Sequence, residues 1–189
     1  MQNGLIPKHY FADDADDLLQ SYVSRYLAEE IIAEGVSWNI PTWTGSVKRK
    51  AMATAKFYFF DMGVVKALRR LESISESGHD FGDFFEHFLF LELRAWIDYN
   101  KPTRTLHYWR STSAFEVDFV LDGKIAIEAK SSAKVSQKHF KGLKALQEEN
   151  CFEKFILVCR EKEKRLVDGI LVYPWESFIN DLWDGKILP

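Results

Sequence analysis

The chain is poor in cysteine, carries no large excess of one charge sign and has no long apolar run. Each shortage removes a class of function. Cys151 and Cys159 are the two cysteines in 189 residues. They are too few and too far apart for a zinc knuckle, and such sparing use suits a reducing compartment. No apolar stretch approaches the ~18 residues of a membrane-spanning helix. The opening M-Q-N-G-L-I-P-K-H-Y lacks the apolar core of a secretory signal, so the expectation is a cytoplasmic protein with no membrane partner. A net charge of -3 excludes a basic footprint over the whole surface, and nucleic acid would have to meet a local patch. The five histidines show no metal-ligand spacing. There is no nucleophile elbow and no glycine-rich phosphate loop of the G-x-x-x-x-G-K-[ST] type, so an ATP site is not expected. No internal repeat or low-complexity segment occurs.

What the chain does have is apolar and aromatic mass. Hydrophobic residues make up 47% and aromatic residues 15%, enough for one good core. The most informative stretch is F-E-V-D-F-V-L-D-G-K-I-A-I-E-A-K-S, residues 115–131. Phe115, Val117, Phe119 and Leu121 alternate with Glu116, Asp118 and Val120; Ile125, Ile127 and Ala129 alternate with Ala126, Glu128 and Lys130. Period-two alternation marks strands, and Asp122-Gly123 between them marks a hairpin. Asp118, Glu128 and Lys130 fall in the middle of apolar strands, where two carboxylates and a lysine need partners or work.

Two neighbouring carboxylates repel, and a divalent cation relieves the repulsion. Mg²⁺ takes one or two carboxylates plus waters and substrate phosphate. It polarises a phosphoryl oxygen and lowers the pKa of a bound water. A lysine two residues after the second acid projects from the same strand face, where it can orient the attacking water. An acid followed on the next strand by Glu-x-Lys resembles the PD-(D/E)xK nuclease pattern. Register decides whether the acids meet. A two-residue loop sets Asp118 across from Ile127. A three-residue loop, Asp122-Gly123-Lys124, or a bulge, sets Asp118 across from Glu128 and Glu116 across from Lys130. The metal-site reading requires the second arrangement, and the three-residue or bulged connection is the expectation.

Around the hairpin, residues 13–34 form an amphipathic helix opened by Asp13, Asp14, Asp16 and Asp17. Residues 35–46 read as a connection, broken at Pro41. Lys48, Arg49, Lys50 and Lys56 form a basic cluster that either binds phosphates or, as is commoner for such composition, is a solvated loop. Residues 57–60 read as a short aromatic strand, with Asp61 capping a helix to about Leu71. Residues 81–99 form a mostly apolar helix whose narrow polar arc holds Asp83, His87, Arg94 and Asp98. Glu86 and Glu92 fall outside that arc, each either reaching a metal site or making a salt bridge. Residues 106–110 read as a strand and 136–149 as an amphipathic helix, with Phe140, Leu143 and Leu146 inward. Lys138, Lys141 and Lys144 point outward, with Lys134 and His139 near. That face is either a DNA-backbone contact or simply solvated. Residues 155–158 and 170–173 look like interior strands, and Pro174 opens a closing helix to about Trp183. The order gives a mixed α/β sandwich.

K-F-Y-F-F-D-M-G (56–63), F-G-D-F-F-E-H-F (81–88), Y-W-R-S (108–111), E-V-D-F-V-L and I-E-A-K-S occur in that order. In this series the chain resembles the C-terminal domain of unknown function of a bacterial and archaeal family of AAA-type ATPases. That resemblance implies a restriction-endonuclease-like fold, a mixed central sheet flanked by helices. It divides the chain into an N-terminal helical extension, residues 1–45, and a nuclease-like domain, residues 46–189. It places the family's helical acid on Glu86, its strand acids on Glu116 and Asp118, and its Glu-x-Lys on Glu128 and Lys130. The implied site has Asp118, Glu128, Lys130 and Glu86 as catalytic residues, and Asp118, Glu128 and Glu116 as ligands of Mg²⁺ or Mn²⁺. Lys134, Lys138 and Lys141 are the candidates for nucleic-acid contact. The family's ATPase core does not occur in these residues, nor does the helical, winged-helix-like segment usually found between positions matching Glu34 and Trp43. Two functions follow as expectations: a Mg²⁺-dependent nuclease-like domain acting on DNA, or a non-catalytic module docking to DNA, to a partner ATPase or to itself.

Overall fold

A computed structural model describes residues 37–187, except 77, 79, 101 and 102. The helix expected over residues 13–34 lies outside the described residues. The elements run β1 Ser37–Ile40, β2 Lys56–Phe59, α1 Met62–Leu68, α2 Phe81–Asn100, β3 Leu106–Arg110, β4 Glu116–Leu121 and β5 Ile125–Ala129. A 3-10 turn at Gln137–Phe140 leads into α3 Lys141–Gln147. Then come β6 Lys154–Cys159, β7 Arg165–Val167, β8 Ile170–Pro174 and α4 Trp175–Trp183. The architecture is mixed α/β: a six-stranded sheet in the order β3-β4-β5-β6-β8-β7, and a two-stranded sheet of β1 and β2. Among the described residues no helix is long and apolar enough to cross a membrane. The chain divides into two compact units, one containing Phe57–Leu91 and the other containing Ile40–Lys56 and Glu92–Pro189.

In the second unit β3, β4 and β5 form an antiparallel meander, while β5, β6 and β8 run parallel and β7 closes the edge antiparallel to β8. Strands inside a parallel array have both faces covered, and every residue of β5 is buried. The β4–β5 register pairs Leu121 with Ile125, Val120 with Ala126 and Phe119 with Ile127. The loop is therefore the three-residue one, Asp122-Gly123-Lys124. Asp122 and Gly123 take left-handed φ of 53° and 66°, which aspartate and glycine tolerate. The Asp122 carboxylate ties the loop down by accepting from Thr105 N–H at 2.9 Å and Arg104 at 2.7 Å.

A second irregularity lies on the other side of β4. His107 of β3 pairs with Val120, but Trp109 pairs with Val117, so two steps on β3 face three on β4. The bulge falls at Asp118 and Phe119. It brings Val117 onto the same core cluster as Val120, beside Ala126, Leu157, Cys159, Ile170 and Val172. Phe140, Leu143 and Leu146 cover that face, each burial worth about 1.5–3 kcal/mol. Gly142 lets α3 lie against β4: a Cβ there would stand 1.9 Å from the Glu116 carbonyl oxygen. Tyr173, next to Val172, packs edge-on against Phe178 of α4 at 5.7 Å, so α4 covers the opposite face.

In the first unit Asp61 is the N-cap of α1, its Oδ1 accepting from Val64 N–H at 3.0 Å. Tyr58 stacks on Phe90 at 4.2 Å. Three local expectations change. Residues 35–46 contain strand β1, which stops at Pro41 because proline has no N–H to give a ladder. Residues 136–149 open as a 3-10 turn before becoming α-helical. His87 is buried rather than on a polar arc, its Nε2 2.7 Å from the Phe59 carbonyl.

Candidate active site

The hairpin's register puts Asp118 opposite Glu128 and ends the β4–β5 ladder just before them. Along β5 successive N–H groups point to opposite neighbours. Lys130 N–H goes to Val158 of β6 at 2.9 Å, so Ala129 N–H points toward β4. There it meets not a main-chain carbonyl but the Asp118 side chain, Oδ2 accepting at 2.9 Å. The bulge thus turns an acid into the sheet's own hydrogen-bond acceptor.

Both acids are buried, Asp118 at 4% and Glu128 at 6% exposure. Lys130 Nζ lies 2.6 Å from Glu128 Oε1 and 3.8 Å from Asp118 Oδ2. Lys56 reaches in from β2, its Nζ 3.1 Å from Asp118 Oδ1 and 3.0 Å from Glu116 Oε1. Glu116 is more open and also faces Arg110 Nε at 3.7 Å. Glu128 Oε2 is buried with no hydrogen-bond partner.

The two acids titrate apart. Burial pushes Asp118 up, but Lys56, Lys130 and the Ala129 N–H outweigh it and hold the carboxyl below its ordinary value. Glu128 is pushed up to about 8, first by burial and then by the Asp118 charge, against the pull of Lys130 and Lys56. At neutral pH Asp118 is an anion and Glu128 holds a proton.

Do these residues fit a hard divalent cation? The donor set is carboxylate oxygen, and Glu128 Oε2 is a buried oxygen without a protein partner, open to an ion once its proton leaves, which fits. Among the described residues no group of three or more His, Cys, Asp or Glu stands ready to hold a metal ion. An ion here would rest on Asp118 and Glu128, with waters completing its shell as Mg²⁺ prefers.

Glu86 belongs to the first unit, where it accepts a hydrogen bond from the Tyr58 hydroxyl. Glu92 accepts from Trp183 Nε1 at 2.9 Å, a structural tie. Lys134, Lys138 and Lys141 are exposed. His139 is lowered by burial and by the charges of Lys138 and Lys130, which places the 3-10 turn beside the site lysine. A cavity of about 310 Å³ elsewhere in this unit is lined by residues such as Lys154, Ile156, Leu171 and Ile187. It contains none of the strand acids, and the carboxylate pair remains the stronger candidate on chemistry.

The residue the sequence reading missed is Lys56. Grouped with Lys48, Arg49 and Lys50 it looked like part of a solvated loop, yet it is the nearer of the two cations on Asp118. The available signal was its position: a lone lysine opening an aromatic strand, at the head of K-F-Y-F-F-D-M-G. Arg49, in contrast, pairs with Glu148 at 2.6 Å.

Comparisons with curated proteins and with solved structures give no match. One family model matches residues 81–178, more than half of the chain and all of the hairpin. The chain therefore belongs to the family described as Domain of unknown function (DUF4143).

Proposed function

We propose that the second unit is a Mg²⁺- or Mn²⁺-dependent nuclease-like domain acting on DNA phosphodiester bonds. It would stand in the restriction-endonuclease-like class and be related to domains that accompany AAA-type ATPases. The observation that carries this reading is the convergence of two buried acids, Asp118 and Glu128, on the Lys130 ammonium, with Glu128 Oε2 left buried and unpartnered. Asp118 and Glu128 would hold the ion, with Glu116 as a further oxygen donor. When bound, such an ion supplies Lewis-acid polarisation and a more acidic water. Lys130 keeps its ammonium against both acids, positioned to orient a nucleophilic water and to offset charge developing on the phosphoryl oxygens. Asp118, its Oδ2 fixed by the Ala129 N–H, gives the site a carboxylate held below its ordinary pKa by Lys56 and Lys130. The exposed Lys134, Lys138 and Lys141 supply the local basic patch that a chain of net charge -3 needs to meet a phosphate backbone.

A second reading has its own observation. Lys56 and Lys130 already compensate Asp118 and Glu116 without any metal, as in a nuclease scaffold kept for docking to DNA, to an ATPase or to another copy. A plasmid-nicking assay in Mg²⁺ and Mn²⁺ separates the two. The nuclease reading expects nicking that falls about a hundredfold or more in Asp118→Ala and Lys130→Ala, with circular dichroism showing the fold retained. Absence of nicking by wild-type protein across both metals leaves the docking reading.

A further inference from the structure

The two oxygens of Asp118 are held differently. Oδ2 is fixed by main chain, accepting from Ala129 N–H at 2.9 Å. Oδ1 accepts at 3.1 Å from Lys56, a long side chain. The same ammonium is 3.0 Å from Glu116 Oε1, and Glu116 is the most open of the three acids, with 36% of its side chain exposed. Lys56 therefore bridges a buried acid and one near solvent, and can shift from the first toward the second.

A divalent ion and an ammonium compete for the same lone pairs. Mg²⁺ and Mn²⁺ need carboxylate oxygen, and Oδ1 of buried Asp118 is the oxygen that the Lys56 ammonium occupies. On the reading of Asp118 and Glu128 as metal-holding acids, we propose that Lys56 is a built-in competitor for the metal. Its ammonium holds Asp118 Oδ1 in the metal-free protein and must shift toward Glu116 before a divalent ion binds. Lys56 thus sets the metal affinity of the site, a role distinct from that of Lys130, whose ammonium sits on the Glu128 side.

The test is calorimetric titration of the full chain with MnCl₂, comparing wild type, Lys56→Met, Lys56→Gln and Asp118→Asn. Removing the competitor is expected to lower Kd for Mn²⁺ by about tenfold or more, the effect of one charged hydrogen bond no longer having to be broken. Asp118→Asn abolishes binding. A second arm uses unaltered protein. Acetylation of Lys56 by an amine-reactive ester, followed by mass spectrometry, is expected to rise several-fold on adding Mn²⁺. Lys56→Gln and this reactivity arm carry the test should Lys56→Met not fold. Wild-type binding with equal or weaker binding in both Lys56 variants, or Mn²⁺ binding that leaves Lys56 as protected as before, overturns the competitor role and leaves the metal site standing. No Mn²⁺ binding by wild type or by either Lys56 variant overturns both.

Discussion

Glu128→Gln should make the protein more stable, and by an amount that grows with pH. Glu128 is buried, its Oε2 has no partner, and its pKa rises from 4.5 to about 8. An acid with a raised folded-state pKa contributes most below its unfolded value and loses that contribution as pH climbs to the folded value. Between 4.5 and about 8 the folded protein keeps a proton the unfolded chain releases. At ~1.4 kcal/mol per pH unit, the penalty is under about 1 kcal/mol at pH 5. It reaches about 3 kcal/mol at pH 7 and has a ceiling near 5 kcal/mol once the acid ionises. Glutamine has the same shape and no charge to desolvate, so it removes the penalty. Urea unfolding of both proteins in EDTA at half-unit steps from pH 5 to 9 measures the difference. Other groups, such as buried His87, whose lowered pKa costs stability as pH falls below about 6.5, cancel in that comparison. Gain expected at pH 8 is about 4 kcal/mol, a midpoint shift of roughly 2 M urea. Two curves that run parallel from pH 5 to 9 would refute the raised pKa and with it the electrostatic picture of the site.

Three further outcomes follow from the packing. Gly142→Ala puts a methyl 1.9 Å from the Glu116 carbonyl oxygen, and since that neighbour is backbone, α3 must lift. A loss of about 3 kcal/mol is expected in chemical denaturation. Asp61→Ala removes the N-cap of α1 and leaves Val64 N–H unmet in a buried setting; about 1–2 kcal/mol should be lost, and Asp61→Ser should recover most of it. Converting Lys134, Lys138 and Lys141 together to glutamine should lower the salt slope of DNA binding by up to about 0.9 for each phosphate contact removed. An unchanged slope would mark the face as merely solvated.

Most of the strand and helix order was readable because it rests on period. β4 and β5 alternate, α2 repeats at helical spacing, β6 and β8 are unbroken apolar runs, and each structure follows from the face it must bury. The acid pair was readable through its register, since only a three-residue or bulged connection brings Asp118 across from Glu128. The three-residue loop settled it, through left-handed φ at Asp122 and Gly123. The bulge at Asp118 and Phe119 left no trace, since Val117, Phe119 and Leu121 also look regular when counted by twos. Lys56 was hidden for another reason. It lies some 60 residues before the acids it touches, and a tertiary salt bridge of that span leaves no local period to detect. β7 is only three residues long, with two of them exposed, so no buried face betrays it.

The electrostatics then say which experiment separates the readings. A bare pair of carboxylates would repel a phosphodiester. Here Glu128 holds its proton at neutral pH, Lys56 and Lys130 stand against Asp118, and Lys56 and Arg110 stand against Glu116. Three cations thus face the acids of the site, which eases the approach of an anionic backbone. Both proposed readings allow DNA to approach, so DNA affinity alone would not distinguish a nuclease from a docking module. The two diverge at the metal. A nuclease must exchange the Lys56 ammonium and the Glu128 proton for a divalent ion, so its Mn²⁺ binding should release a proton and tighten as pH rises toward 8. A docking module keeps both where they are, and shows neither the proton release nor the binding heat.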